Sequence, residues 1–234
     1  MSHHGIFRRC RSRWPHLLAT GVHSSASRAD ERGSALAVAM GVGSLGLAIV
    51  AVLVLLSSTE VGLAARDRDA AEARYAAELA FERALVDLQA TAAWSDVLSG
   101  VLGSSFAVGP PWLDLATQTV DLEAERRSMQ TRTDATSTVG ANTPRWQLFG
   151  WGRLDDVLPA GVESNSPLAV AVWVADDEAE VDGLPARDAN GAVWVRAVAY
   201  GPRAGRRVVE GLVLREGVGM GLLRRAIWRE VTED

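Results

Sequence analysis

The chain has 234 residues, 23% charged and 48% hydrophobic, with 24 basic against 29 acidic side chains and a net charge of −5. That length suits one domain of ordinary size with an appendage, and it can bury a sizeable core. The slight acidic excess gives no basis for nucleic-acid binding, which needs a clustered basic surface. Every basic residue is arginine, and all four histidines (His3, His4, His16, His23) and the single Cys10 precede Ser24. From Ser24 onward there is no thiolate nucleophile, no imidazole base, no Schiff-base lysine and no usual zinc ligand except carboxylate. Disulfides are excluded from the body on the same count. The composition does not point to an enzyme.

Residues Met1–Gly33 form a basic leader, in which Arg8, Arg9, Arg11, Arg13, Arg28 and Arg32 stand against Asp30 and Glu31 for a net charge of +4. No charge follows between Arg32 and Glu60. At about 1.5 Å per residue, the apolar run Ser34–Ser58 makes roughly 37 Å of helix, more than the ~30 Å of a hydrocarbon core. It reads as a transmembrane helix over 34–59. The run exceeds a secretory h-region and has no good cleavage site of that type, and the preceding arginines favour a cytoplasmic N-terminus.

The helical signal continues beyond the span. No proline occurs between His16 and Gly109, and Glu60–Ala93 is rich in Ala, Glu, Arg and Leu. Ala73, Ala77, Phe81, Ala84, Leu88 and Ala92 recur at spacings of three and four, which lines one face of a helix. Arg66, Asp67, Asp69, Arg74, Glu78, Glu82 and Asp87 occupy the other side. The expectation is one helix over Ser34–Ala93, a membrane half followed by an amphipathic half.

Residues 94–234 have a different character, with seven of the eight tryptophans and seven of the eight prolines. Ser99–Thr143 is rich in Gly, Ser and Thr and reads as loops around a short element at Leu113–Leu122. Strand-like runs follow at Arg145–Trp151, Leu168–Ala175, Ala192–Tyr200 and Arg206–Leu214. The second is apolar throughout, as a strand covered on both faces is. The last two flank the turn Gly201–Gly205 and predict an antiparallel hairpin. Leu222–Val231 fits an edge strand or a short helix. The fold class is α+β, with a long N-terminal helix packed on an antiparallel sheet in a β-rich head.

An acidic stretch lies between two of the predicted strands: Asp176, Asp177, Glu178, Glu180, Asp182 and Asp188, with Asn190. Oxygen-only donors suit Ca²⁺, and Asp176, Asp177, Glu178, Asp182 and Asp188 are its candidate ligands, although no EF-hand spacing is present. The same stretch also reads as a solvated acidic hairpin with no cofactor. The tryptophans read as sheet core, with a sugar-binding platform as the alternative.

Glu31-Arg-Gly-Ser-Ala-Leu36, placed directly before an apolar span, resembles a prepilin cleavage motif. Arg74-Tyr-Ala-Ala-Glu-Leu-Ala-Phe-Glu-Arg-Ala-Leu-Val-Asp-Leu88 resembles the helix of PilX-type minor pilins of type IV pili. The resemblance covers about 60 residues at the N-terminal end and is looser in the head. It implies a pilin-like fold and cleavage between Gly33 and Ser34 by a prepilin peptidase, with N-methylation of Ser34. It also implies residence in the inner membrane and then on the pilus at the cell surface, with other minor pilins and a tip adhesin as partners. Its function would be pilus assembly or initiation, linked to cell adhesion.

Ala35, Ala39 and Gly43 repeat every four residues, a stripe that lets helices approach closely in lipid. Val38 stands where main pilins carry a Glu that pairs with a neighbour's terminal amine, which favours a tip over a shaft position. A type II secretion pseudopilin and an unrelated single-pass anchored binding protein are the alternatives.

Overall fold

The structure, a computed structural model, describes residues 28–136, 142–159, 161–180, 182–201, 205–217 and 221–231. The leader before residue 28, with its histidines and cysteine, lies outside the described residues. The chain divides into two compact units, Met1–Ser58 and Thr59–Asp234.

Helix α1 (Arg28–Ala90) is 63 residues long. In the first unit its apolar stretch is exposed throughout, and none of its most apolar 18-residue window is buried. It is long and apolar enough to cross a membrane. Leu36, Val42, Leu47, Leu53 and Leu56 all present more than half of their surface, a burden that water does not tolerate and lipid does. The helix starts at Arg28, six residues before the expected Ser34.

In the second unit, Ala73, Ala76, Ala77, Ala80, Phe81, Ala84 and Leu88 form the buried face of α1. The helix ends at Ala90, three residues before the expected Ala93, and Ala92 is exposed beyond it. A five-stranded antiparallel sheet follows in simple order: β3 (Gln147–Arg153), β4 (Ala169–Asp176), β5 (Ala192–Tyr200), β6 (Arg206–Glu216) and β7 (Leu222–Val231). All eight residues of β4 are buried, because both faces of the sheet are covered. On one face, Val170, Val172, Val174, Val193, Val195, Ala197, Val209 and Val213 join the α1 alanines in a single core. On the other, Ala171, Trp173, Val198 and Tyr200 meet Leu113, Leu122 and Met129.

That second layer comes from the region read as loops. It holds the hairpin β1 (Trp112–Leu115) and β2 (Gln118–Asp121), then α3 (Leu122–Thr136). Helix α3 escaped the sequence reading because its Arg-, Ser- and Thr-rich sequence buries only Leu122, Met129 and Gln130. Asp121 starts it, its Oδ1 accepting the N–H groups of Glu123 and Ala124 at 2.9 and 3.0 Å. Two short helices were also missed, α2 (Trp94–Leu98) and α4 (Leu154–Val157). The β5–β6 hairpin is closed by the Gly201 N–H donating to the Gly205 carbonyl at 2.7 Å, while residues 202–204 lie outside the described residues. Leu222–Val231 is a strand, β7, at the sheet edge.

The alanines bring α1 close to the sheet, and Phe81 fits against Gly211 of β6. A Cβ built on Gly211 would stand 2.9 Å from the Phe81 ring and 2.7 Å from the Ile227 carbonyl oxygen. Gly211→Ala is therefore expected to destabilise the second unit by about 1–3 kcal/mol through overpacking, and Phe81→Ala by about 3–5 kcal/mol through the cavity it leaves. Chemical denaturation of the detergent-solubilised chain, followed by tryptophan fluorescence, checks both values.

Candidate metal centre

Helix α1 ends against β6. The Arg215 guanidinium lies 4.1 Å over the Trp94 ring and donates to the Ala92 and Thr91 carbonyls, each at 2.7 Å. Trp94 itself donates from Nε1 to the Leu88 carbonyl at 3.0 Å. The Leu88 carbonyl in the last turn, which has no partner within the helix, is thereby satisfied by Trp94, and Arg215 holds the two residues that follow the helix. The loop between β4 and β5 folds onto the same place: the Asp188 N–H donates to Ser95 Oγ at 3.2 Å, and the Gly191 N–H to Asp188 Oδ1 at 2.7 Å. Gly191 has φ +74°, the left-handed conformation that turns the chain into β5.

This folding gathers three carboxylates. Asp176, at the end of β4, Glu180 and Asp188 each place an oxygen within 4.8 Å of the other two. Asp176 is 0% exposed and Glu180 6%. Glu180 Oε1 accepts the N–H groups of Ala189 and Asn190 at 2.7 and 2.8 Å, whereas its Oε2 is buried without a hydrogen-bond partner. Asp176 Oδ1 accepts the Asp177 N–H at 3.0 Å, and its Oδ2 accepts Asn142 Nδ2 at 2.5 Å. Asn142 is 0% exposed, and its own Oδ1 has no partner. Burial, with repulsion from Glu180 added, pushes the Asp176 carboxyl up to about 7, against the hydrogen bonds from Asn142 and Asp177. Asp188 is also raised, by burial first, with the Gly191 N–H opposing. Burial lowers Arg215, and the nearby Asp188 opposes that.

Of the five ligands expected from the sequence, Asp176 and Asp188 lie in this cluster. Asp177 is buried beside it, but its oxygens are taken by the Ala179 N–H and by Asn190 Nδ2, at 2.9 and 2.7 Å. Glu178 is exposed on the rim of a separate cleft lined by Trp146, Trp194 and Arg229. Asp182 is exposed and accepts the Leu184 N–H at 2.9 Å, a local turn. The sequence reading placed Glu180 in the acidic run but outside the ligand set, and it missed Asn142 altogether. Asn142 lies 34 residues upstream of its partner Asp176, beyond the reach of any local pattern. Gly33, Ser34, Ala35, Val38, Ala39 and Gly43 all lie in α1 of the first unit and are exposed, with nothing within 4 Å of a Cβ on Gly33 or Gly43.

No protein-family model, curated protein or solved structure matches the chain.

An acid whose folded pKa is raised binds its proton more tightly in the folded than in the unfolded state. The stability linked to that proton is present below 3.8 and is lost as pH rises through about 7. In chelator, the chain is expected to gain on the order of 2 kcal/mol from Asp176 between pH 7.5 and pH 5. Asp176→Asn, neutral at every pH, removes that increment. Urea midpoints of the two proteins across this pH range check it.

Proposed function

We propose that this chain is a minor pilin-like subunit of the PilX type, an assembly protein and not an enzyme, that acts in type IV pilus assembly or initiation at the pilus tip. The observation that carries this reading is the change of surface along α1. The stretch after Gly33 is apolar on every side and unburied, whereas the stretch from Ala73 to Leu88 buries one alanine-rich face on an antiparallel sheet. An unburied apolar helix needs lipid or other helices around it. A subunit that leaves the bilayer for a helical bundle meets that need in both settings. Ala35, Ala39 and Gly43 supply the small-residue stripe for the bundle, and the basic leader before Gly33 faces the cytoplasm, where a prepilin peptidase acts.

Val38 supports a tip rather than a shaft position in the fibre. Within a shaft, the neighbour's terminal ammonium would be buried beside Val38 without a carboxylate, an omission worth about 3–5 kcal/mol when a buried charge loses its partner. Repeated at each subunit, that loss opposes a homopolymer; at a tip it is met once.

Two measurements test the reading. Mass spectrometry of the membrane-extracted protein is expected to find an N-methylated Ser34 and a mature chain of 201 residues, the 234 of the whole less the 33 up to Gly33. Replacement of Gly33 by a bulky residue should leave the precursor uncleaved. Normal maturation of that variant would sink the pilin reading and leave a single-pass anchored binding protein. Quantitative proteomics on sheared pili is expected to find far less than one copy per main subunit, and near-equal copy numbers would rule out the tip position. Recovery from a type II secretion fibre instead of a pilus would assign the chain to a pseudopilin.

A further inference from the structure

We propose that Asp176, Glu180 and Asp188 form a calcium site, with Asn142 as a fourth oxygen donor, and that the bound ion fastens the β4–β5 loop beside the end of helix α1. The inference uses residues of the second unit alone and does not depend on the pilin reading.

Three features separate this group from an ordinary acidic patch. First, the carboxylates converge within 4.8 Å although the loop Asp177–Gly191 could have carried Glu180 and Asp188 into water, as it carries Glu178 and Asp182. Second, the backbone is spent on orienting them. Two N–H groups hold Glu180 Oε1, one holds Asp188 Oδ1 and one holds Asp176 Oδ1, and Glu180 Oε2 is left without a donor. Third, two buried oxygens, Glu180 Oε2 and Asn142 Oδ1, have no hydrogen-bond donor. Buried acceptors are almost always satisfied, so an oxygen left bare among converging carboxylates marks the place of a cation.

The donor set selects the ion. It offers no nitrogen or sulfur, which disfavours zinc and copper. One oxygen from each of the three carboxylates and the Asn142 amide oxygen give four oxygen donors, and waters on the loop side would bring the number to the six to eight that calcium takes. Magnesium is usually bound through one or two carboxylates, fewer than the three that converge here.

Fastening the loop has a structural consequence. Asp188 is joined through its N–H to Ser95, next to Trp94, and Trp94 stacks under the Arg215 that holds the Thr91 carbonyl just past the end of α1. An ion held by Asp176, Glu180 and Asp188 therefore links the end of β4, the loop and the helix terminus.

The test uses the full chain in detergent micelles, stripped with EGTA and desalted. Calorimetric titration with CaCl₂ is expected to show one site, half-saturated at about 1 mM or below, the range of extracellular calcium modules. Tb³⁺ should give emission sensitised by tryptophan excitation, because Trp94 adjoins the site, and Ca²⁺ should displace it while an equal concentration of Mg²⁺ does not. Glu180→Gln and Asp188→Asn should each weaken Tb³⁺ binding at least about tenfold, and Glu178→Gln and Asp182→Asn should leave it unchanged.

An independent readout on the unmodified chain is tryptic cleavage after the exposed Arg187, which about 2 mM Ca²⁺ should slow about tenfold or more by suppressing local opening of the loop. If the two ligand variants fail to fold, the titration and the protease protection of the unmodified chain decide. No saturable Ca²⁺ signal up to about 10 mM would overturn the proposal and leave a cluster held together by shared protons. So would Tb³⁺ binding that survives in well-folded Glu180→Gln and Asp188→Asn.

Discussion

The second unit depends on the closeness of helix α1 to the sheet. Ala73, Ala76, Ala77, Ala80 and Ala84 are buried with almost no side chain between helix and sheet, and the Phe81 ring packs against β6 where Gly211 leaves room for it. A larger residue at any of these alanines would lift the helix and break the contact between Phe81 and β6, because a core packed to crystal density has no slack. The position of Arg215 follows from this contact. It lies four residues beyond Gly211 on β6, and its guanidinium reaches the carbonyls of Thr91 and Ala92, just past the helix end, at 2.7 Å. The loop that carries Asp188 then closes on the same helix end.

The sheet treats its two groups of buried charge differently. Arg196 on β5 and Glu210 on β6 face each other directly across the strands and pair at 2.5 Å, and Arg229 from β7 meets the other Glu210 oxygen at 2.6 Å. There the buried Glu210 carboxylate has a cation on each oxygen, one of them the exposed Arg229, and the group reads as structural. The cluster of Asp176, Glu180 and Asp188 gathers like charges instead. Arg215 interacts with Asp188, but its guanidinium hydrogen bonds go to the carbonyls just past the helix end. The uncompensated remainder separates a ligand site from a buried ion pair, and the cluster joins the sheet only through Asp176 at the end of β4.

Helix α1 presents two kinds of surface in one element. From Gly33 to Ser58 its side chains are apolar all round and meet no protein, whereas from Ala73 onward one face is buried and the other is charged, with Arg74 and Glu78 joined at 3.0 Å and Glu82 reaching Arg225 at 2.6 Å. The first surface suits hydrocarbon and the second suits water.

Much of this was legible along the chain. The apolar span, the alanine–phenylalanine face and the strands β3 to β6 announce themselves because each is a local pattern strong enough to outweigh its context, whereas Leu222–Val231 fitted a strand or a helix until the sheet edge paired it. Ala192–Tyr200, for example, is the same nine residues in sequence and structure. Helix α3 was not legible, since it is a polar helix that buries three side chains and takes its place from the sheet face beneath it. The acidic stretch lay between these cases. Its composition told that oxygen donors crowd one loop, but charge alone does not say which of them turn inward. Only the tertiary fold separated Asp176, Glu180 and Asp188 from Glu178 and Asp182, and only it brought in Asn142 from 34 residues away. The physical reason is that local patterning sets which surfaces seek burial, whereas convergence of charged groups requires distant segments to meet and backbone N–H groups to aim them.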